Sequence, residues 1–75
     1  MHMSTLEKVQ QLFAQKIKVE AIEPKTELRE LGLDSLDLVE LMMDLEKEFD
    51  IEFENDEMTS FKTLEDVVKA INAKI

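Results

Sequence analysis

Seventy-five residues with a single glycine, a single proline and no serine- or glycine-rich linker make one small domain rather than two. A chain of this length buries only about 60% of the surface its unfolded form exposes, which leaves little room for a deep catalytic cleft. Eighteen acids against nine basic residues give a net charge of -9 at pH 7, so nucleic acid and anionic membranes are poor ligands, the chain repels itself toward a monomer, and its partners should be basic.

Met1, His2 and Met3 read as start and cloning residues, which leaves residues 4 to 75 as the domain and sets aside His2, the only histidine. Ser4-Thr5-Leu6-Glu7 has the Ser-x-x-Glu form of a capping box, and Leu6, Val9, Phe13 and Ile17 follow on one helical face, predicting a first helix from Thr5 to about Lys18. Residues 19 to 34 carry isolated apolar anchors (Val19, Ile22, Leu28, Leu31, Leu33) with Pro24 and Gly32, the pattern of a long ordered loop with one helical turn near Glu27 to Leu31. A second helix spans Ser35 to Phe49 and ends before the turn-like "DIEFE". "NDEMTSF" predicts a short helix capped by Asn55, with Met58 and Phe61 turned to the core. Thr63-Leu64-Glu65-Asp66 opens a last helix whose Leu64, Val67, Val68, Ile71 and Ile75 share a face. The expected fold is all-α, a small three-to-four-helix bundle with a long loop between its first two helices.

The second helix has two apolar faces. Leu38, Leu41, Met42, Leu45 and Phe49 form the stripe that a bundle requires, yet Leu36, Val39 and Met43 form another on roughly the opposite side. Beside it runs an acidic row, Asp37, Glu40, Asp44 and Glu48, although like charges at i,i+4 cost ~0.2–0.5 kcal/mol per pair in an isolated helix. A helix selected for stability alone would alternate its signs. Apolar side chains bordered by carboxylates are what a docking surface needs, the charges steering a basic partner and the apolar contacts retaining it. The plainer alternative packs Leu36, Val39 and Met43 beneath the loop or the third helix.

Ser35 sits at the mouth of that helix, where a serine is ordinarily the N-cap. Asp34 is the better cap, because its N3 position is then Asp37, whose carboxylate can return a bond to the cap amide; with Ser35 as cap, N3 is Leu38 and that bond is lost. The Ser35 hydroxyl is thereby left without employment, close to the boundary of the two stripes. A phosphodiester there would gain ~0.3–1 kcal/mol from the unpaired amides and dipole of the helix start. An exposed modified serine and an idle one are both compatible with these residues.

Without cysteine the chain has no disulfide, no thiolate nucleophile and no cysteine-ligated zinc, in keeping with a reducing compartment. No apolar run approaches the ~20 residues of a membrane span and nothing resembles a signal peptide, so a cytoplasmic location is expected. The carboxylates from Asp44 to Glu57 lack the spacing and glycine of a calcium loop, so no specific metal site is expected, although loose divalent binding would relieve repulsion. An unmodified acidic interaction or cation-binding module is therefore the competing function class.

Gly32-Leu33-Asp34-Ser35-Leu36-Asp37, with the following Val39-Glu40-Leu41 and Glu46-Lys47-Glu48-Phe49, resembles the attachment motif and second helix of the free-standing acyl carrier proteins, over about Ser4 to Ile75. The resemblance implies that Ser35 carries a covalent 4'-phosphopantetheine arm derived from coenzyme A, with Asp34 and Leu36 as flanking recognition residues. It further implies that Asp37, Glu40, Asp44, Glu46 and Glu48, with Leu36, Val39 and Met43, meet a phosphopantetheinyl transferase and fatty acid synthesis enzymes through their basic docking patches. Lys47 breaks the acidic run usual in the family, and no partner contacts are carried over from the loop. The function implied is transport by tether: acyl intermediates are held as thioesters on the arm and delivered to separate enzymes, the chain itself not being an enzyme. Phe13, Leu38, Met42, Leu45 and Val67 are candidates to line an acyl pocket, ordinary core being the alternative for each. Carriage of D-alanine or a polyketide intermediate would use the same arm.

Overall fold

The computed structural model describes residues 3–17 and 22–75. Ser4 and Glu7 close the expected capping box, the Ser4 hydroxyl accepting from the Glu7 amide at 3.1 Å and the Glu7 carboxylate from the Ser4 amide at 3.1 Å. From it runs α1, Thr5–Ile17, with Val9 and Phe13 fully buried and Leu6 and Ile17 packed at the margin of the core. Lys18 and Val19 lie outside the described residues. The expected helical turn in the loop is a 3-10 helix, Leu28–Leu31, ended by Gly32 at φ 74, a left-handed conformation that costs glycine nothing.

Helix α2, Ser35–Phe49, has the predicted bounds and the predicted cap: Asp34 Oδ1 accepts the Asp37 amide at 2.8 Å. The return bond is not made, since among the described residues the Asp37 carboxylate does not reach the Asp34 amide. At the other end Asp50 takes φ 54 and donates its amide to the Glu46 carbonyl, a left-handed closure that aspartate tolerates better than most residues.

Helix α3, Asn55–Ser60, starts one residue earlier than a cap at Asn55 allows. Glu54 is the cap, and the Glu57 carboxylate accepts the Glu54 amide at 2.9 Å while the Glu54 side chain accepts the amide of Glu57. This reciprocal pair needs an acid three residues on, which Glu54 finds in Glu57 and Asn55, facing Met58, does not. Met58 and Phe61 are half-buried against the core as expected, and Phe61 meets Phe53 edge to face at 5.5 Å.

Helix α4, Leu64–Asn72, buries Leu64, Val67 and Ile71 completely. It ends before Ile75, which is 65% exposed and not part of the apolar face to which periodicity assigned it. All three amides of its first turn are satisfied: Leu64 donates to Thr26 O at 3.2 Å, Glu65 to Pro24 O at 2.8 Å and Asp66 to Thr63 Oγ1 at 3.2 Å. Leu28 donates to Lys62 O at 2.8 Å, so the loop is joined along the start of α4. Helix α1 packs on both α2 and α4, and among the described residues no strand forms, so the fold is the expected all-α bundle.

Candidate functional site

Ser35 is the first residue of α2 and exposed, and among the described residues its hydroxyl has no hydrogen-bond partner. This follows from the local sequence: Asp34 takes the capping bond, so Ser35 enters the first turn with its side chain free. The main-chain bonds of the 3-10 segment and of the loop to Lys62 and Leu64 hold the approach to α2, so the serine stands at a fixed edge.

Two grooves meet at it. One, of about 410 Å³, lies between the loop, the start of α2 and the Phe61-Lys62 segment, and Leu28, Arg29, Leu33 and Asp34 form much of its lining. The other, of about 500 Å³, lies between α2 and α3 and is walled by Leu38, Val39, Met42, Met58, Thr59 and Phe61. Ser35, Leu38 and Phe61 border both. The first has charged side chains at its rim, Glu27, Arg29 and Lys62; the second has none in its lining, and is the one an apolar chain would enter.

Of the five pocket candidates, Leu38 and Met42 stand at the α2/α3 groove. Phe13, Leu45 and Val67 are 0% exposed in the core and line neither groove, because periodicity marks an inward face without telling its depth. Met58, Thr59 and Phe61 complete the wall from the α3 side. Met58 and Phe61 were legible as inward residues, but their position opposite α2 is a product of chain packing.

The second apolar stripe of α2 faces outward, with Leu36 at 66%, Val39 at 48% and Met43 at 51% exposure, so these residues are not packed beneath the loop. Asp44 and Glu48 are exposed beside them, Asp37 is half-buried, and none of these three forms an ion pair among the described residues. One carboxylate of the row, Glu40, and the neighbouring Glu46 outside it are already engaged. Glu40 pairs with Lys16 of α1. Glu46, half-buried, accepts the Phe53 amide at 2.8 Å, so its carboxylate holds the segment that leaves α2. Among the described residues no group of three or more acidic or histidine side chains is placed to hold a metal ion, and no helix is long and apolar enough to cross a membrane.

A family model described as a phosphopantetheine attachment site matches residues 7–71. The acyl carrier protein of Phytoplasma australiense is 44% identical over 73 residues, covering 93% of this chain and 96% of that one. The acyl carrier protein of Clostridium acetobutylicum is 44% identical over 70 residues, covering 89% and 91%. A Mycobacterium tuberculosis structure assigned provisionally to the same proteins superposes with a TM-score of 0.88 at 28% identity, covering 93% of this chain and 97% of that one. Matched over most of its length in sequence and in fold, the chain belongs to the acyl carrier proteins, whose prosthetic group is 4'-phosphopantetheine.

Proposed function

We propose that Ser35 is the attachment residue, and that residues 4 to 75 act as one monomeric, non-catalytic carrier in the cytoplasm, delivering acyl groups to the enzymes of fatty acid synthesis. The observation that carries this reading is the exposed, unbonded hydroxyl of Ser35 at the junction of the two grooves. The residues around it fit the prosthetic group. Asp34 fixes the helix start without using the serine, and a phosphodiester on Oγ would lie at the positive N-terminal end of α2. When attached, the arm supplies the thiol that the polypeptide lacks.

The α2/α3 groove favours an apolar cargo. Each methylene fully buried there contributes about 0.8 kcal/mol, whereas D-alanine would leave the Leu38, Met42 and Met58 surface unfilled. The exposed Leu36, Val39 and Met43, bordered by Asp37, Glu40, Asp44 and Glu48, form the surface offered to the transferase and to the synthesis enzymes. Glu46 contributes charge to that surface but is held by its own chain.

Cargo released by hydroxylamine from protein purified from its native cell tests the reading. Acids forming a series spaced by two carbons are expected on mass analysis; an amino acid as the dominant species would contradict it. Charge reversal at Glu40 should slow reactions with partner enzymes and flatten their salt dependence without unfolding the domain.

A further inference from the structure

The acidic row of α2 is not left to solvent at its centre. Lys16, in the last turn of α1 and twenty-four positions before Glu40, crosses the α1/α2 seam and donates to Glu40 Oε2. The lysine side chain is 29% exposed and the glutamate 48%, so the pair stands at the rim of the face, where a partner can reach it. The hydrogen bond to Glu40 raises the Lys16 pKa, burial opposes it less strongly, and the charges of Glu40, Asp37 and Asp44 each add a smaller increment. The ammonium is therefore held by Glu40, with Asp37 and Asp44 adding only their charge from a distance. Farther along the same antiparallel seam Lys8 lies 5.5 Å from the centre of the Phe49 ring, so α1 presents two lysines along α2.

A cation on a partner that takes Glu40 finds a cation already there. We propose that Lys16 is a specificity-determining residue of the α2 docking face, an internal competitor that a partner's arginine or lysine must displace to reach Glu40. This rests on the docking reading above. Its consequence is a selective one: a partner whose guanidinium binds the carboxylate in two-pronged fashion displaces a single ammonium more readily than a partner that offers another lysine. Lys16 lowers affinity for weakly basic surfaces and so narrows the range of enzymes that α2 engages.

The test uses the apo chain, coenzyme A and a bacterial phosphopantetheinyl transferase, with KM for the carrier and kcat measured separately across a range of sodium chloride. The variants are K16Q, E40Q, the double variant, and K69Q, which makes the same change of net charge on α4 in a residue paired with Glu65. K16Q should lower KM about two- to five-fold at low salt, the range of an exposed ion pair, and more than K69Q does. In the E40Q background that excess should vanish, because the competition has lost its object. Melting curves for each variant show that the fold is intact. If E40Q raises KM while K16Q matches K69Q, docking stands and internal competition is overturned. A higher KM for K16Q overturns it as well, since Lys16 would then touch the partner directly. If E40Q leaves KM unchanged, the docking reading fails and the competition falls with it.

Discussion

Asp66 fastens the start of α4 to the segment that precedes it, and its removal has a calculable effect. Its Oδ2 accepts the amides of Lys62 at 3.0 Å and of Thr63 at 3.1 Å, fixing the segment whose Phe61 and Lys62 line the groove beside Ser35. Losing a hydrogen bond to a charged group costs ~1.5–3 kcal/mol, but Asp66 is only half-buried and water replaces part of what is lost, so Asp66→Ala should cost about 1–2 kcal/mol at pH 7. With a urea slope near 1 kcal/mol/M, the low end for small proteins, the unfolding midpoint falls by roughly 1–2 M. The two amide bonds, first from Lys62 and then from Thr63, hold the Asp66 carboxyl below its ordinary pKa. A folded-state value below the unfolded one gives stability that is present above the unfolded pKa of about 3.9 and is lost as pH falls through the folded value. The difference between wild type and Asp66→Ala should therefore be full at pH 7 and shrink progressively below pH ~4. Paired urea titrations at pH 7 and in the acid range measure this. An equal midpoint difference at both, or none at pH 7, would refute the role given to the carboxylate.

Asp34→Ala should cost about 1 kcal/mol through loss of the cap to Asp37, while Ser35→Ala should leave stability within about 0.5 kcal/mol; thermal unfolding of the two variants separates a capping residue from a free one. Glu46→Gln should destabilise by weakening the bond to the Phe53 amide and Glu48→Gln should not, a contrast that denaturant titration reads directly. Acyl forms should melt progressively higher as the chain lengthens to fill the α2/α3 groove, an increment that Met58→Ser should reduce.

The parts of this architecture that were legible in sequence are those decided within one turn of chain. Asp34 was identifiable as the cap of α2, and with it the freedom of Ser35, although the returning bond from the Asp37 carboxylate that favoured it is not made and the cap rests on the Asp37 amide alone. At α3 the residue-type preference for asparagine misplaced the cap, and the residue three positions on would have pointed to Glu54, which pairs with Glu57. Periodicity separated the outward Leu36, Val39 and Met43 from the inward Leu41, Met42 and Leu45. It could not rank inward residues by depth, which is why Phe13, Leu45 and Val67 belong to the core while Leu38 and Met42 stand at a groove. What depends on two distant segments had no local signature: the Lys16–Glu40 pair spans twenty-four positions, and Glu46 is engaged only because the chain after α2 folds back to bring Phe53 against it.

The most direct measurement weighs the purified apo chain before and after incubation with coenzyme A and a phosphopantetheinyl transferase, followed by mapping of the modified peptide. One added phosphopantetheinyl group on Ser35, absent from a folded Ser35→Ala variant, is the predicted result. An unchanged mass with an active transferase, or the group found on another side chain, would contradict the account.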